Sequence, residues 1–234
     1  MPLTKITFGD NLPGYEGGDK NAPAIIVIQE WWGVNEVVKS IAAKIAEQGF
    51  RVLVPDLYKG KIGLDAEEAS HLMNNLDFQN AVKEIGAAAK YLKDTGSAKV
   101  GVTGFCMGGA LSFASAIHVS DLSAAAPCYG IPPAQYFQIE NIKIPVLGTF
   151  GGKDAHAGFS DPESALAAEK KIKDAGGNID MKIFPNAPHS FFNQLVEPEG
   201  VEMVKKFQNG VLAPEAELKE AFDRLIAFFK KQLQ

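Results

Sequence analysis

The sequence predicts an α/β protein built on a doubly wound, mostly parallel sheet flanked by helices. Three observations carry this. Ala24–Ile28 and residues 100–103 and 145–150 are apolar runs of strand length that do not alternate, as expected of strands covered on both faces. These runs alternate along the chain with segments of helical spacing, which calls for parallel pairing through right-handed crossovers. Finally, Val100-Gly101-Val102-Thr103 passes directly into Gly104-Phe105-Cys106-Met107-Gly108-Gly109-Ala110, a strand turned sharply into a helix. A chain of 234 residues suffices for one large core, so a single domain over 1–234 is expected.

Thr4-Lys5-Ile6-Thr7-Phe8 alternates as an edge strand does, and 9–21, dense in Gly, Pro, Asp and Asn, is loop or hairpin. Ala24–Ile28 then delivers Gln29-Glu30-Trp31-Trp32-Gly33 to the carboxyl edge of the sheet. Asn35 is placed to cap a helix in which Val37, Val38, Ile41, Ala42, Ile45 and Ala46 recur until Gly49. Residues 50–55 are a strand. Asp65 with Glu68 makes a capping box for a helix to about Leu76, and a second helix starts at Asp77. Past Cys106 a helix covers 110–117, a short strand 124–129, and an irregular crossing 131–141. The strand 145–150 ends in Gly151-Gly152-Lys153-Asp154. Asp161 caps a helix with Pro162 in its first position and Gly176-Gly177 at its end. Ile179–Phe184 is the last strand, releasing Pro185-Asn186-Ala187-Pro188-His189-Ser190, and a closing helix from Pro214 buries Leu218, Phe222, Leu225 and Phe229.

Hydrophobic residues at 46% and charged ones at 22% argue against a disordered or membrane class. No apolar run reaches membrane-spanning length, and Met1-Pro2-Leu3-Thr4-Lys5 lacks the regions of a signal peptide, so a cytoplasmic protein is expected. A net charge of -5 without clustered Lys or Arg argues against nucleic acid or anionic lipid as partner. The expected ligand is a small molecule, and the expected state a monomer or weak homodimer. One disulfide would add little to a large cytosolic domain, and a cysteine at the strand-to-helix turn is useful only when free, so Cys128 reads as buried and inert.

The turn at Cys106 holds its side chain above the sheet in a strained conformation, flanked by Gly104 and Gly108 because side chains there would collide with neighbouring backbone. A helix start also favours thiolate over thiol. Alone, Gly-x-Cys-x-Gly-Gly fits a tight connection around a buried cysteine equally well. Asp154, His189 and Glu30, like Cys106, lie just past predicted strands, and ligands bind at that edge of such sheets. Nucleophile, then acid, then histidine is the α/β-hydrolase order. His189 would take the thiol proton and later protonate the leaving group, while Asp154 fixes the imidazole tautomer. A lone loop histidine is more often structural and such an aspartate more often a cap, but order and location together favour catalysis.

Glu30 is the unusual member. A carboxylate near the sulfur would hold the thiol protonated, since two adjacent anions are disfavoured; its plainer reading is an anchor for the Trp31-Trp32-Gly33 turn. Backbone N–H groups of Trp31 and Met107 are the expected oxyanion donors, and the two tryptophans line an apolar pocket or pack the loop. Asp154 and His156 have the spacing of a metal-ligand pair, but no other His or Cys matches it, so no metal site is expected. His71, on a polar helix face, and His118, at a helix end, read as structural.

Gln29-Glu30-x-x-Gly33-x-Asn35, Pro55-Asp56-Leu57-Tyr58, Gly104-Phe105-Cys106-Met107-Gly108-Gly109, Gly151-Gly152-Lys153-Asp154 and Pro188-His189-Ser190-Phe191, in this order over nearly the whole chain, resemble the dienelactone hydrolase (carboxymethylenebutenolidase) family. The resemblance implies an α/β-hydrolase fold, a triad of Cys106, Asp154 and His189, and Glu30 as a switch that activates Cys106 when ligand arrives. It also implies hydrolysis of a cyclic ester through a thioester, without metal or organic cofactor. Trp32, Tyr58, Lys59, Phe191 and Asn193 are the candidate pocket residues.

One departure stands out. Bacterial members of that family have an arginine four residues after the catalytic histidine to hold the substrate carboxylate, and here that position is Asn193. Asparagine offers no bidentate charged fork. Arg51, opening a strand, and Arg224, in the closing helix, are the only arginines and are not placed to substitute; Lys59 and Lys61 are the candidate cations. Dienelactone itself is therefore not the expected natural substrate. The expectation is a cysteine-dependent lactonase or esterase. A thioesterase or general carboxylesterase on the same scaffold and a non-catalytic thiol sensor are the alternatives.

Overall fold

The buried apolar runs pair side by side, as strands without a polar face must. In the computed structural model, which describes residues 2–234, the strands are β1 (Thr4–Phe8), β2 (Leu12–Gly17), β3 (Ala24–Ile28), β4 (Arg51–Pro55), β5 (Val100–Phe105), β6 (Leu122–Cys128), β7 (Val146–Gly151) and β8 (Ile179–Phe184). They form one sheet in the order β1-β2-β4-β3-β5-β6-β7-β8. β1, β2 and β4 pair antiparallel, and every other pairing is parallel. The segment 9–21 thus contains the return strand of a hairpin: β2 joins the edge strand β1 to the parallel sheet, with Gly14 opposite Pro55. β3, β4 and β5 are buried at every position, which explains why their sequences do not alternate polar and apolar residues.

Helices α1 (Glu36–Ala46), α2 (Ala66–Asn74), α3 (Phe78–Asp94), α4 (Met107–His118), α5 (Pro162–Asp174), α6 (Glu199–Phe207) and α7 (Glu215–Leu233) flank the sheet. The caps read from sequence are present: Asn35 accepts from Val38 N–H, Asp65 from Glu68, Asp77 from Asn80 and Asp161 from Ser164. The Asp65 box is modified, since Glu68 returns its carboxylate to Leu64 N–H at 2.9 Å. α2 stops at Asn74, and α4 starts at Met107 without a preceding loop. Residues Met107 to Ala116 of α4 are all buried, as a helix that is apolar all round requires. Three elements lie outside the sequence reading: 3-10 turns over Ile139–Asn141, within the irregular crossing, and over Phe191–Leu195, and α6. Among the described residues, no helix is long and apolar enough to cross a membrane.

This topology collects the candidate residues. Glu30 lies just beyond β3, Cys106 directly after β5, Asp154 just beyond β7 and His189 on the longer loop after β8, all at the carboxyl edge.

Candidate active site

The sharpest local feature is Cys106, with φ 57° and ψ -117°, a conformation that costs an L-residue on the order of 1–3 kcal/mol. Backbone hydrogen bonds hold it there. Its N–H donates to Cys128 carbonyl at 3.2 Å, and its own carbonyl accepts from Gly109 and Ala110 at 2.9 and 3.2 Å. The flanking glycines are sterically required: a Cβ on Gly104 would sit 2.3 Å from Gly108 carbonyl oxygen, and one on Gly108 would sit 2.5 Å from that of Ile28.

Cys106 is buried, and burial pushes its thiol well above the usual range. The Glu30 charge pushes the same way, while the N–H groups of Met107 and Trp31 point at the sulfur and pull it down. The helix-start donors thus act in the expected direction, but desolvation and the Glu30 charge outweigh them. Cys128 is fully buried, its thiol pushed up to about 12 by burial.

Glu30 is itself buried, which raises its carboxyl above the normal value. Oε2 accepts from Asn193 Nδ2 at 3.0 Å, while Oε1 is sealed from solvent and, among the described residues, has no hydrogen bond of normal geometry, the Ser190 and Tyr129 hydroxyls standing near enough to favour the carboxylate. Tyr129, at φ 35° and fully buried, stacks its ring edge-on 5.1 Å from the His189 ring, and its hydroxyl likewise lacks a partner at normal geometry among the described residues. Buried polar atoms without partners are rare in folded proteins and concentrate at working sites.

Asp154 serves two imidazoles. Oδ2 accepts from His189 Nδ1 at 2.6 Å, and Oδ1 accepts from His156 Nδ1 at 2.7 Å and from His156 N–H at 3.1 Å. Burial alone would raise the Asp154 carboxyl, but the hydrogen bonds from His156 and His189, with the charge of His189, bring it well below the usual carboxylate range. The same bond raises His156 above the ordinary histidine value, against its partial burial. With Nδ1 of His189 donating to a carboxylate, the neutral ring carries its lone pair on Nε2. Ser160 Oγ lies 3.2 Å from the same Nδ1. Ligand-capable atoms of Asp154, His156 and His189 fall within 4.8 Å of one another, so these three are the residues that could hold a metal ion. Each imidazole already spends Nδ1 on Asp154, and an ion bound through those nitrogens would have to break both bonds.

Cys106, His156, His189 and Asn193 open on one cavity of about 390 Å³, walled further by Trp31 and Trp32. Helix α6 closes it with Met203, Val204 and Phe207. Three proposed pocket residues lie outside this wall. Phe191 is fully buried in an aromatic cluster with Tyr129 and Phe192. Tyr58 lies beneath α4, its hydroxyl 3.3 Å from Met107 Sδ. Lys59 reaches away to an ion pair with Glu84. Asn193 does line the cavity, but its amide is committed to Glu30.

The sequence reading missed the role of His156 and the α6 wall. Asp-x-His spacing, read there as a metal pair, equally lets an aspartate accept from the N–H and ring two residues on.

A family model for the dienelactone hydrolase family matches residues 12–233. Protein usf of Aquifex pyrophilus is 32% identical over 96% of this chain and 95% of its own length. A protein of Aquifex aeolicus with the provisional name carboxymethylenebutenolidase is 31% identical over 80% of this chain and 84% of its own. The crystal structure of a provisionally assigned dienelactone hydrolase from Klebsiella pneumoniae superposes with a TM-score of 0.80 over 98% of both chains, at 22% identity, and so shares the fold. A match running from β2 to the end of α7, on a sheet that gathers the motif residues at one edge, means that the chain belongs to the dienelactone hydrolase family.

Proposed function

We propose that the chain hydrolyses a carboxylic ester or lactone through Cys106 and a thioester intermediate, with residues 1–234 acting as one catalytic unit. The observation that carries this reading is the juxtaposition at one cavity: a cysteine at the strained tip of a strand-to-helix turn, and a histidine whose far nitrogen is bonded to a buried aspartate. A structural cysteine has no need of either partner.

In the resting site the thiol keeps its proton, because burial and Glu30 both disfavour thiolate. Ligand that draws the Glu30 carboxylate aside removes the repulsion, and His189 Nε2 then accepts the proton as sulfur attacks the carbonyl carbon. The N–H groups of Met107 and Trp31 receive the developing oxyanion. The carbon–oxygen bond breaks, and His189 returns the proton to the departing alkoxide. Water then attacks the thioester, giving one proton to His189, which passes it to sulfur as the carbon–sulfur bond breaks. Asp154 stabilises the imidazolium at both stages. The two free cysteines suit a reducing compartment, and we assign the protein to the cytoplasm.

The test is intact-mass detection of acylated protein during turnover of a lactone and ester panel, repeated with Cys106→Ala. We expect a mass adduct mapped to Cys106, and a loss of roughly a thousandfold or more in kcat for the alanine variant, whose fold is checked by circular dichroism. Full activity in Cys106→Ala would overturn the proposal.

A further inference from the structure

The cavity wall indicates which esters the site takes, an inference that rests on the hydrolase reading above. Trp31, Trp32 and Phe207 form one aromatic surface, with ring centroids 4.9 and 4.7 Å apart in sequence. Met203 and Val204 of α6 and Phe159 extend it, so the space beside Cys106 is bounded mainly by carbon. No lysine or arginine is part of the wall among the described residues. Arg51 is engaged with Glu16, Arg224 with Asp180, Lys59 with Glu84 and Lys205 with Glu202, and Lys61 is exposed and not part of the wall. Lys206 sets its ammonium on the Phe207 ring, 5.1 Å from the centroid, without joining the wall. The acidic groups at the site are Glu30 beside the sulfur and Asp154, which holds the two imidazoles. Asn193, at the position suited to a carboxylate clamp, is neutral and already donates to Glu30.

We propose that the substrate is an uncharged ester or lactone with an apolar substituent, and that esters carrying a free carboxylate are rejected. A carboxylate entering this space loses water, meets apolar carbon and stands near two buried carboxyl groups, with no lysine or arginine to compensate and with both imidazoles of the wall already paired with Asp154.

Two readouts test this independently. The first compares p-nitrophenyl butyrate with p-nitrophenyl hemisuccinate, twins that differ by a terminal carboxylate. Expected is a kcat/KM preference of about tenfold or more for the neutral twin. The second needs no turnover: alkylation of Cys106 by iodoacetamide and by iodoacetate, followed by mass spectrometry and normalised to free N-acetylcysteine. The neutral reagent should win by a similar factor, and Gln208→Arg, which adds a cation to a partly exposed wall position, should narrow both ratios severalfold. Equal or reversed alkylation ratios, or ratios unmoved by Gln208→Arg, overturn the proposal whether or not any ester turns over. Selective alkylation with no ester hydrolysed would instead sink the hydrolase reading and leave the charge selectivity standing.

Discussion

At the level of single residues, the unusual demand falls on Asp154, whose two carboxylate oxygens hold two different imidazoles. His156 is half-exposed, and its bond to Asp154 raises it above the ordinary histidine value, so its cation forms on the solvent side and competes for the Asp154 charge that His189 also uses. Replacing His156 with Gln should therefore lessen the loss of kcat/KM that begins on the acid side above the ordinary histidine range, read from the pH profiles of both proteins. The stability consequence follows from the two directions. A raised His156 value gives a contribution that is complete below about pH 6.5 and disappears as pH climbs through the folded-state value. A lowered Asp154 value gives one that is complete above about pH 4 and disappears as pH drops through its folded-state value. The pair thus stabilises most between about pH 4 and 6.5. His156→Gln should lose at most about 1 kcal/mol there, because the exposed imidazole is screened, and less at alkaline pH. Urea denaturation on both sides of the window checks this: an equal loss at both pH values would mean that His156 acts by packing and not by charge.

Among elements, the Cys106 turn is where backbone meets backbone. A methyl on Gly108 would lie 2.5 Å from Ile28 carbonyl oxygen and 2.6 Å from that of Gln29, so it would push α4 away from the end of β3, which carries Glu30. Gly108→Ala should cost roughly 1–3 kcal/mol of stability from overpacking, and about a hundredfold in kcat from misplacing the sulfur against its partners by ~1 Å. Gly86→Ala is the control. It lies inside α3 with Val119 no closer than 3.6 Å to the new methyl, and should be neutral or stabilising by up to about 1 kcal/mol. Wild-type stability and turnover in Gly108→Ala would refute the packing argument. The same contrast explains what could be read from sequence. The turn was legible because two glycines and a β-branched run leave few alternatives, and the strands because continuous Val and Ile admit no exposed face. α6 was not legible. Pro198 precedes it without a capping side chain, and Gly200 stands in its first turn because a Cβ there would lie 1.9 Å from Asn193 carbonyl oxygen. A nine-residue helix of that composition exists through tertiary packing rather than propensity. Its only local signs were Glu199 and Glu202 at one end, Lys205 and Lys206 at the other, and Met203, Val204 and Phe207 on one stripe. α6 supplies one side of the cavity wall, and the motif residues Tyr58, Lys59 and Phe191 do not line it.

Across the whole molecule, the two ends of the sheet divide the work. Poorly satisfied polar groups, strained backbone and raised carboxyl and thiol values gather at the carboxyl edge, where Glu30 Oε1 and Tyr129 Oη make no hydrogen bond of normal geometry among the described residues. At the opposite end Arg51, fully buried at the start of β4, is saturated. It donates to Glu16 of β2 through both Nε, at 2.6 Å, and Nη2, to Thr95 at 2.8 Å, and to the carbonyls of Lys20 and Leu92 at 3.3 and 3.2 Å. One guanidinium thereby joins the antiparallel edge, the parallel sheet and the end of α3. Removing one partner of such a pair leaves the other charge poorly solvated, which typically costs about 3–5 kcal/mol. Glu16 keeps a small exposed fraction and Tyr91 Oη at 3.4 Å, so Arg51→Leu should fall at the lower end of that range. Arg51→Lys should recover only part of it, because an ammonium with three N–H groups cannot replace the five hydrogen bonds that the guanidinium makes to four acceptors. Since the site lies at the far end of the strands, kcat/KM of both variants, measured well below their melting temperatures, should match wild type. Urea midpoints and kinetics on the same preparations decide the matter: a variant that keeps its stability but loses turnover would show that the amino-end cluster reaches the active edge, and the division of labour proposed for this sheet would have to be abandoned.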